Sequence, residues 1–198
     1  MAMNSFSNNG TGTLTASAGT AIRYLVQPNR NGKVRASKLV YTAGATAHTA
    51  TFLRPIGRTT ASAAAASGQA VINLTADPGV SGNLIAANDL LAIRETDGVT
   101  RLYTVSSVST LQITLTSNLT AGAAAGAKVW NFGVTGDTNP ADGAAHPAFA
   151  LASGAATTFT DDNGFVATFA TDDPLLLSIN NATNAGTLNQ FSWGYTIN

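Results

Sequence analysis

The 198-residue sequence predicts an all-β protein: a jelly-roll-like sandwich carrying an inserted small β-barrel. Three observations lead there. Apolar residues recur at every second position in short runs bounded by turn residues. Dipeptides that favour tight turns, Asn31-Gly32 and Asp97-Gly98, separate such runs. Thr, Ser, Asn and Gly are spread throughout, and no window keeps a 3.6-residue apolar period for three turns.

Residues 1–20 are Asn, Ser, Gly, Thr and Ala with little to bury, and read as a flexible arm that orders when something docks on it. Residues 21–26 (AIRYLV) form the first β-type run and stop at a Pro-Asn-Arg-Asn-Gly turn. Residues 34–44 alternate, with Val34 and Ala36, and in turn Leu39 and Tyr41, as candidates to share faces, and residues 48–54 alternate again before Pro55. The Ala-rich stretch 61–66 has the composition for one or two helical turns.

A second block holds AVINLTA, DLLAIRE, TRLYTVSSV, LQITLTS and KVWNFGV. Asp97-Gly98 predicts a two-residue hairpin between its second and third runs. A weak internal echo runs through this block. Ile72-Asn-Leu-Thr-Ala-Asp and Ile113-Thr-Leu-Thr-Ser-Asn are each followed by an Ala/Gly-rich link and then by DLLAI or KVWNF. A repeated strand, crossing loop and strand suits a small closed barrel. The third block, from Pro147, alternates once more and closes with Leu188, Gln190 or Phe191, Trp193 and Tyr195 in a strand-like run. The expected domains are therefore the arm 1–20, a sandwich from 21–69 plus 133–198, and a barrel from 70–132.

Ten bases balance ten acids, and charged residues make up only 10% of the chain. Zero net charge argues against a nucleic-acid binder held by a broad basic surface. No cysteine is present, which removes disulfides, thiolate metal sites and thiol nucleophiles. No basic and apolar leader opens the chain, and no run approaches the ~20 apolar residues of a membrane-spanning helix, so no membrane partner is expected. So neutral a surface fits either a chain covered by copies of itself or a partner, or a β-protein coated with hydroxyls and amides.

The balance conceals polarity. Residues 1–76 carry Arg23, Arg30, Lys33, Arg35, Lys38, Arg54 and Arg58 and no acid, while residues 129–198 carry Asp137, Asp142, Asp161, Asp162, Asp172 and Asp173 and no base. Either the first and last thirds share one sandwich and neutralise each other, or opposite patches complement neighbouring subunits.

Chemistry-bearing patterns are sparse. His48 and His146 have no second ligand at a metal-binding spacing, and Glu95 is the one glutamate. Asp137-Thr-Asn139-Pro-Ala-Asp142-Gly143, Asp161-Asp162-Asn163-Gly164 and Asp172-Asp173 are rich in hard oxygen ligands, but lack the order and closing glutamate of an EF-hand, so turn formation accounts for them. No nucleophile elbow or phosphate loop appears. Sequons at Asn9, Asn73, Asn118 and Asn181 are expected by chance in so Thr/Asn-rich a chain. Trp130, Trp193, Tyr195 and Phe191 offer a sugar-stacking platform or, more simply, core. No enzymatic activity and no cofactor are expected.

The polar arm, the run AIRYLVQPNRNGKVRASKLVYTAGATAHTATFLRPIG, the Ala-rich links, NDLLAIRETDGVTRLYTVSSVSTLQITLTSNL and the closing LLLSINNATNAGTLNQFSWGYT together resemble small virion structural proteins of tailed bacteriophages, most of all capsid decoration (cement) proteins. The resemblance lies in texture across most of the chain and transfers no site residue. It implies a β-rich protein made in the bacterial cytoplasm and displayed on the outer head surface. Its partners would be the major capsid protein and further copies of itself, as trimers, with no nucleic acid. Asn4 and Phe6 of the arm and the basic Arg23, Arg30, Lys33, Arg35 and Lys38 are the expected partner-binding residues. A tail component (tube, terminator or fibre-associated module) and a carbohydrate-binding module are the alternative readings.

Overall fold

The computed structural model describes residues 55–79 and 84–134. Outside that stretch it describes 3–6, 14–16, 22–26, 32–43, 48–53, 149–151, 156–159, 167–169, 173–180 and 186–197. Its elements are all strands. In chain order they are β1 (Met3–Phe6), β2 (Leu14–Ala16), β3 (Ile22–Val26), β4 (Gly32–Ala43), β5 (His48–Leu53), β6 (Gly57–Thr60), β7 (Val71–Asn73) and β8 (Asp89–Arg94). There follow β9 (Thr100–Ser109), β10 (Gln112–Leu115), β11 (Lys128–Val134), β12 (Phe149–Leu151), β13 (Ala156–Phe159), β14 (Ala167–Phe169), β15 (Leu175–Asn180) and β16 (Gly186–Ile197). The protein is all-β, as the alternation predicts, and every pairing is antiparallel.

The chain divides into two compact units, Arg54–Ala145 and the combination of Met1–Leu53 with His146–Asn198. The flanking unit has two sheets. One runs β1-β16-β4-β13, with β14 also on β4 and β2 also on β16; the other runs β12-β5-β15-β3. First-third strands thus pair with last-third strands inside one chain: β4 with β13, β14 and β16, β5 with β12 and β15, and β3 with β15. Within the segment read as an arm, two stretches are strands. Met3–Phe6 and Leu14–Ala16 extend the first sheet along β16, because the open edge of a twelve-residue strand offers ladder partners that even a weakly apolar segment can use. The strands on either side of Asn31-Gly32 enter different sheets, so that turn makes no hairpin of them.

The central unit orders its strands β6-β11-β8-β9-β10-β7. The two edges bond each other: Ala61 bridges Leu74, Thr75 N–H donates to Thr60 O (2.9 Å) and Ser62 N–H donates to Asn73 O (2.8 Å). The ring of pairings is therefore closed, which removes free edges. Because β6 pairs with β11, this unit starts at Arg54, whereas the sequence reading began the barrel at residue 70. The Ala-rich stretch after β6 is not helical. Ala61 N–H donates to Ala127 O (2.9 Å), and Ala65 and Ala123 exchange two bonds of 2.8 Å, so this link spends its amides on another link.

Alternation fills the interior. Ile72, Leu74, Leu91, Ile93, Val105, Ile113, Leu115, Leu119 and Val129 are buried in one cluster, each contributing about 1.5–3 kcal/mol on burial. Leu90, Ala92, Trp130 and Phe132 occupy the alternate positions of β8 and β11 and are buried as well, outside that cluster. The β8–β9 connection is one residue longer than the two-residue hairpin expected. Glu95 N–H donates to Val99 O (2.9 Å) and Gly98 N–H to Glu95 O (3.0 Å), with Gly98 at φ 78°. That is a type I turn closed by a left-handed glycine.

Candidate partner-binding face

The long β4–β16 ladder carries most of the basic residues singled out in the sequence. Lys33 stands opposite Thr196, Arg35 opposite Gly194 and Lys38 opposite Ser192. In β4 itself, Lys38 is out of step with Lys33 and Arg35 by one position. A β-bulge corrects this: Ala36 faces Trp193 and Lys38 faces Ser192, leaving Ser37 as an extra residue. Directly opposed residues share a sheet face, so positions 192, 194 and 196 of β16 bring Lys33, Arg35 and Lys38 onto one face. A second bulge, where Val40 faces Gln190 and Tyr41 faces Leu188, adds Asn189 to β16 and restores phase again. The opposite face then reads Val34–Tyr195, Ala36–Trp193, Leu39–Phe191 and Tyr41–Leu188, which is the apolar set expected from the sequence.

The remaining partner-binding candidates are distributed differently. Asn4 pairs with Tyr195 and Phe6 with Trp193, so both lie on the apolar face of the same sheet. Arg23 is on β3 in the other sheet, opposite Ser178. Arg30 lies outside the described residues, as do His146, Asp137, Asp142, Asp161, Asp162 and Asp172. Lys33 stands opposite Thr168 of β14 on its other side.

The barrel holds a polar cluster that motif reading did not find. Glu95 continues the inward series Leu91, Ile93 and Glu95, and its side chain is wholly buried. Its Oε1 accepts from the Tyr103 hydroxyl (2.5 Å) and Thr120 N–H (2.9 Å), while Oε2 accepts from Ala121 N–H (3.1 Å) and the Arg101 guanidinium. Arg101 also donates to both carboxylate oxygens of Asp97 (3.0 and 2.7 Å). The Thr96 hydroxyl donates to Ala121 O (2.6 Å), and Thr96 N–H to Gly122 O (3.0 Å). Together these bonds pin the link between β10 and β11 to the β8–β9 turn. The Arg101 hydrogen bond, helped by Val99 N–H, holds the Asp97 carboxyl below the usual carboxylate range. Burial, then the bond to Glu95, pushes the Tyr103 phenol up. The bonds to Asp97 raise the Arg101 guanidinium further. A lone glutamate in phase with inward Leu and Ile was the available sequence signal.

At the other end of β8, Asp89 Oδ2 accepts from Asn131 Nδ2 (3.2 Å) and Ala86 N–H (3.0 Å). Asp77 Oδ1 accepts from Gly79 N–H (2.7 Å) and Ile85 N–H (3.0 Å). These carboxylates are committed to holding backbone. Among the described residues no three His, Cys, Asp or Glu side chains group as metal ligands, and no helix is long and apolar enough to cross a membrane. Trp130 is 2% exposed, which withdraws its ring from any sugar-stacking surface.

No protein-family model and no curated protein matches the chain. Among solved structures it is similar to VP17, a capsid protein of bacteriophage P23-77, with a TM-score of 0.20 and 11% identity, over 92% of this chain and 100% of that one. A TM-score that low does not establish a shared fold.

Proposed function

We propose that the protein is a non-enzymatic structural component of a tailed-bacteriophage virion, which binds the outer capsid surface and stabilises the head. The observation that carries the docking surface is the bulge that gathers Lys33, Arg35 and Lys38 on one face. In the register Lys33, Arg35 and Lys38 stand opposite Thr196, Gly194 and Ser192, and three basic residues on one sheet face suit contact with an acidic partner. One rim ion pair contributes only about 0.2–1 kcal/mol, so such a face holds through repetition over many symmetric copies. The commitment of Glu95, Asp89 and Asp77 to structural bonds supports a role without catalysis. In this reading Asn4 and Phe6 act as members of the sheet, and the basic face makes the contact with the shell.

The test is co-sedimentation with purified heads lacking the protein. The triple variant Lys33→Glu, Arg35→Glu, Lys38→Glu should lose binding while keeping the wild-type circular dichroism and melting. Wild-type binding should also weaken as salt rises. Undiminished binding of the triple variant would remove this face from the interface. Images of particles carrying a tagged copy should show the tag on the head, and a tag on the tail would replace the decoration reading with a tail component.

A further inference from the structure

The central barrel obeys an internal twofold rule that extends well beyond the echo seen in its sequence. Strands β6, β7 and β8 correspond to β9, β10 and β11, and three pairs of backbone contacts repeat from one half to the other. Thr75 N–H donates to Thr60 O (2.9 Å), and Thr116 N–H donates to Thr104 O (2.9 Å). Leu74 N–H donates to Leu111 O (2.8 Å), and Leu115 N–H to Ala70 O (2.7 Å). Gly126 N–H donates to Ala61 O and Asn88 N–H to Val105 O, both at 2.8 Å.

The same turn precedes β8 and β11. Asp89 N–H bonds Ala86 O and Ala127 N–H bonds Ala124 O, with Asn88 (φ 73°) and Gly126 (φ 79°) at the left-handed position. The registers agree too: Asn131 opposite Gly57 maps onto Ile93 opposite Arg101, and Val129 opposite Thr59 onto Leu91 opposite Tyr103. Two strand pairs cross the axis, at Ile72 opposite Ile113 and at Ala92 opposite Trp130, each residue facing its own equivalent.

We infer that this barrel is a fused dimer, two copies of one three-stranded unit joined by the Glu95–Val99 turn, whose mutual interface is self-complementary. A twofold axis through two antiparallel pairs is what an isologous interface requires. Thr60/Thr104, Ile72/Ile113, Leu74/Leu115 and Thr75/Thr116 are identical in the two halves and lie on or next to β6, β7, β9 and β10, and Ala86/Ala124 is identical in the turn. The halves have diverged along β8 and β11, and at the ends Glu95 and Arg101 correspond to Gly133 and Gly57.

Two truncations of the full chain test this, one lacking residues 98–134 and one lacking residues 54–96. Each retains a single three-stranded unit within the flanking unit. The first is expected to sediment and scatter light as a dimer, closing a barrel between two copies through Ile72 against Ile72. Co-expression of the two truncations controls for folding, since together they supply every strand of the barrel. Dimers of the first truncation alone support the inference. Association only as the mixed pair, or no association alone or together, overturns it.

Discussion

The Glu95 cluster makes a quantitative demand on stability. Glu95→Gln keeps the carbonyl that accepts from Tyr103 and Thr120, but turns an NH2 group towards the Ala121 N–H and the Arg101 guanidinium. Leaving the partly buried Ala121 N–H without an acceptor costs about 1 kcal/mol, the low end for a buried donor, and a lost charge-assisted bond costs about 1.5–3 kcal/mol. Arg101 is 28% exposed and retains Asp97, so its share belongs at the lower end. The sum is about 2.5 kcal/mol, which for a cooperative unit of this size lowers the melting temperature by roughly 10–20 °C. The assay is urea and thermal unfolding of the full chain on a Trp193→Phe background, where the buried Trp130 reports the barrel. A loss below about 1 kcal/mol would mean that the link between β10 and β11 is held by its backbone bonds to Gln69, Ala65 and Thr96 rather than by the carboxylate.

Tyr103 keeps its proton more tightly in the folded state, so its contribution is complete below the ordinary phenol range and is lost as pH rises through the folded value. Urea stability of the wild type should therefore fall above about pH 10, and Tyr103→Phe should flatten that limb. Asp97 has the opposite sign: its contribution is present above the usual carboxylate range and disappears as pH falls below it, and Asp97→Asn should remove that acid-side slope in urea melts. Gly57→Ala would place a methyl carbon 1.7 Å from Pro78 O, a backbone atom, and should lower barrel stability by about 1–3 kcal/mol or more in the same melts. An unchanged melting temperature would show that the Pro78 backbone yields freely.

The legible parts of the fold were those where one residue type decides. Val34 and Ala36 alternate in step, as do Leu39 and Tyr41, and the register puts all four on one face because the strand bulges between the two pairs. What the pattern could not show was where that phase correction falls, and so that Lys38 joins Lys33 and Arg35. Ladder pairing is likewise invisible in Met3–Phe6 and Leu14–Ala16, since backbone bonds to β16 need no apolar signature. Composition misled at residues 61–66, where alanine's helical preference, a fraction of a kcal/mol per residue, yields to bonds with Ala123 and Ala127. Glu95 was visible as a residue but not as a keystone, because its partners lie up to 26 residues away.

The barrel's symmetry has a practical consequence at its two ends. Gly57 and Asn131, where the chain enters and leaves, are adjacent across a strand pair, and their mates Arg101 and Ile93 flank the Glu95–Val99 turn. At one of these points the chain passes to and from the other unit, while at the equivalent point it is spanned by Thr96, Asp97 and Gly98 alone. That turn is thus a ready port for a guest domain. An epitope or enzyme spliced between Asp97 and Gly98 would join two strands, β8 and β9, whose paired ends are already spaced to receive a folded passenger.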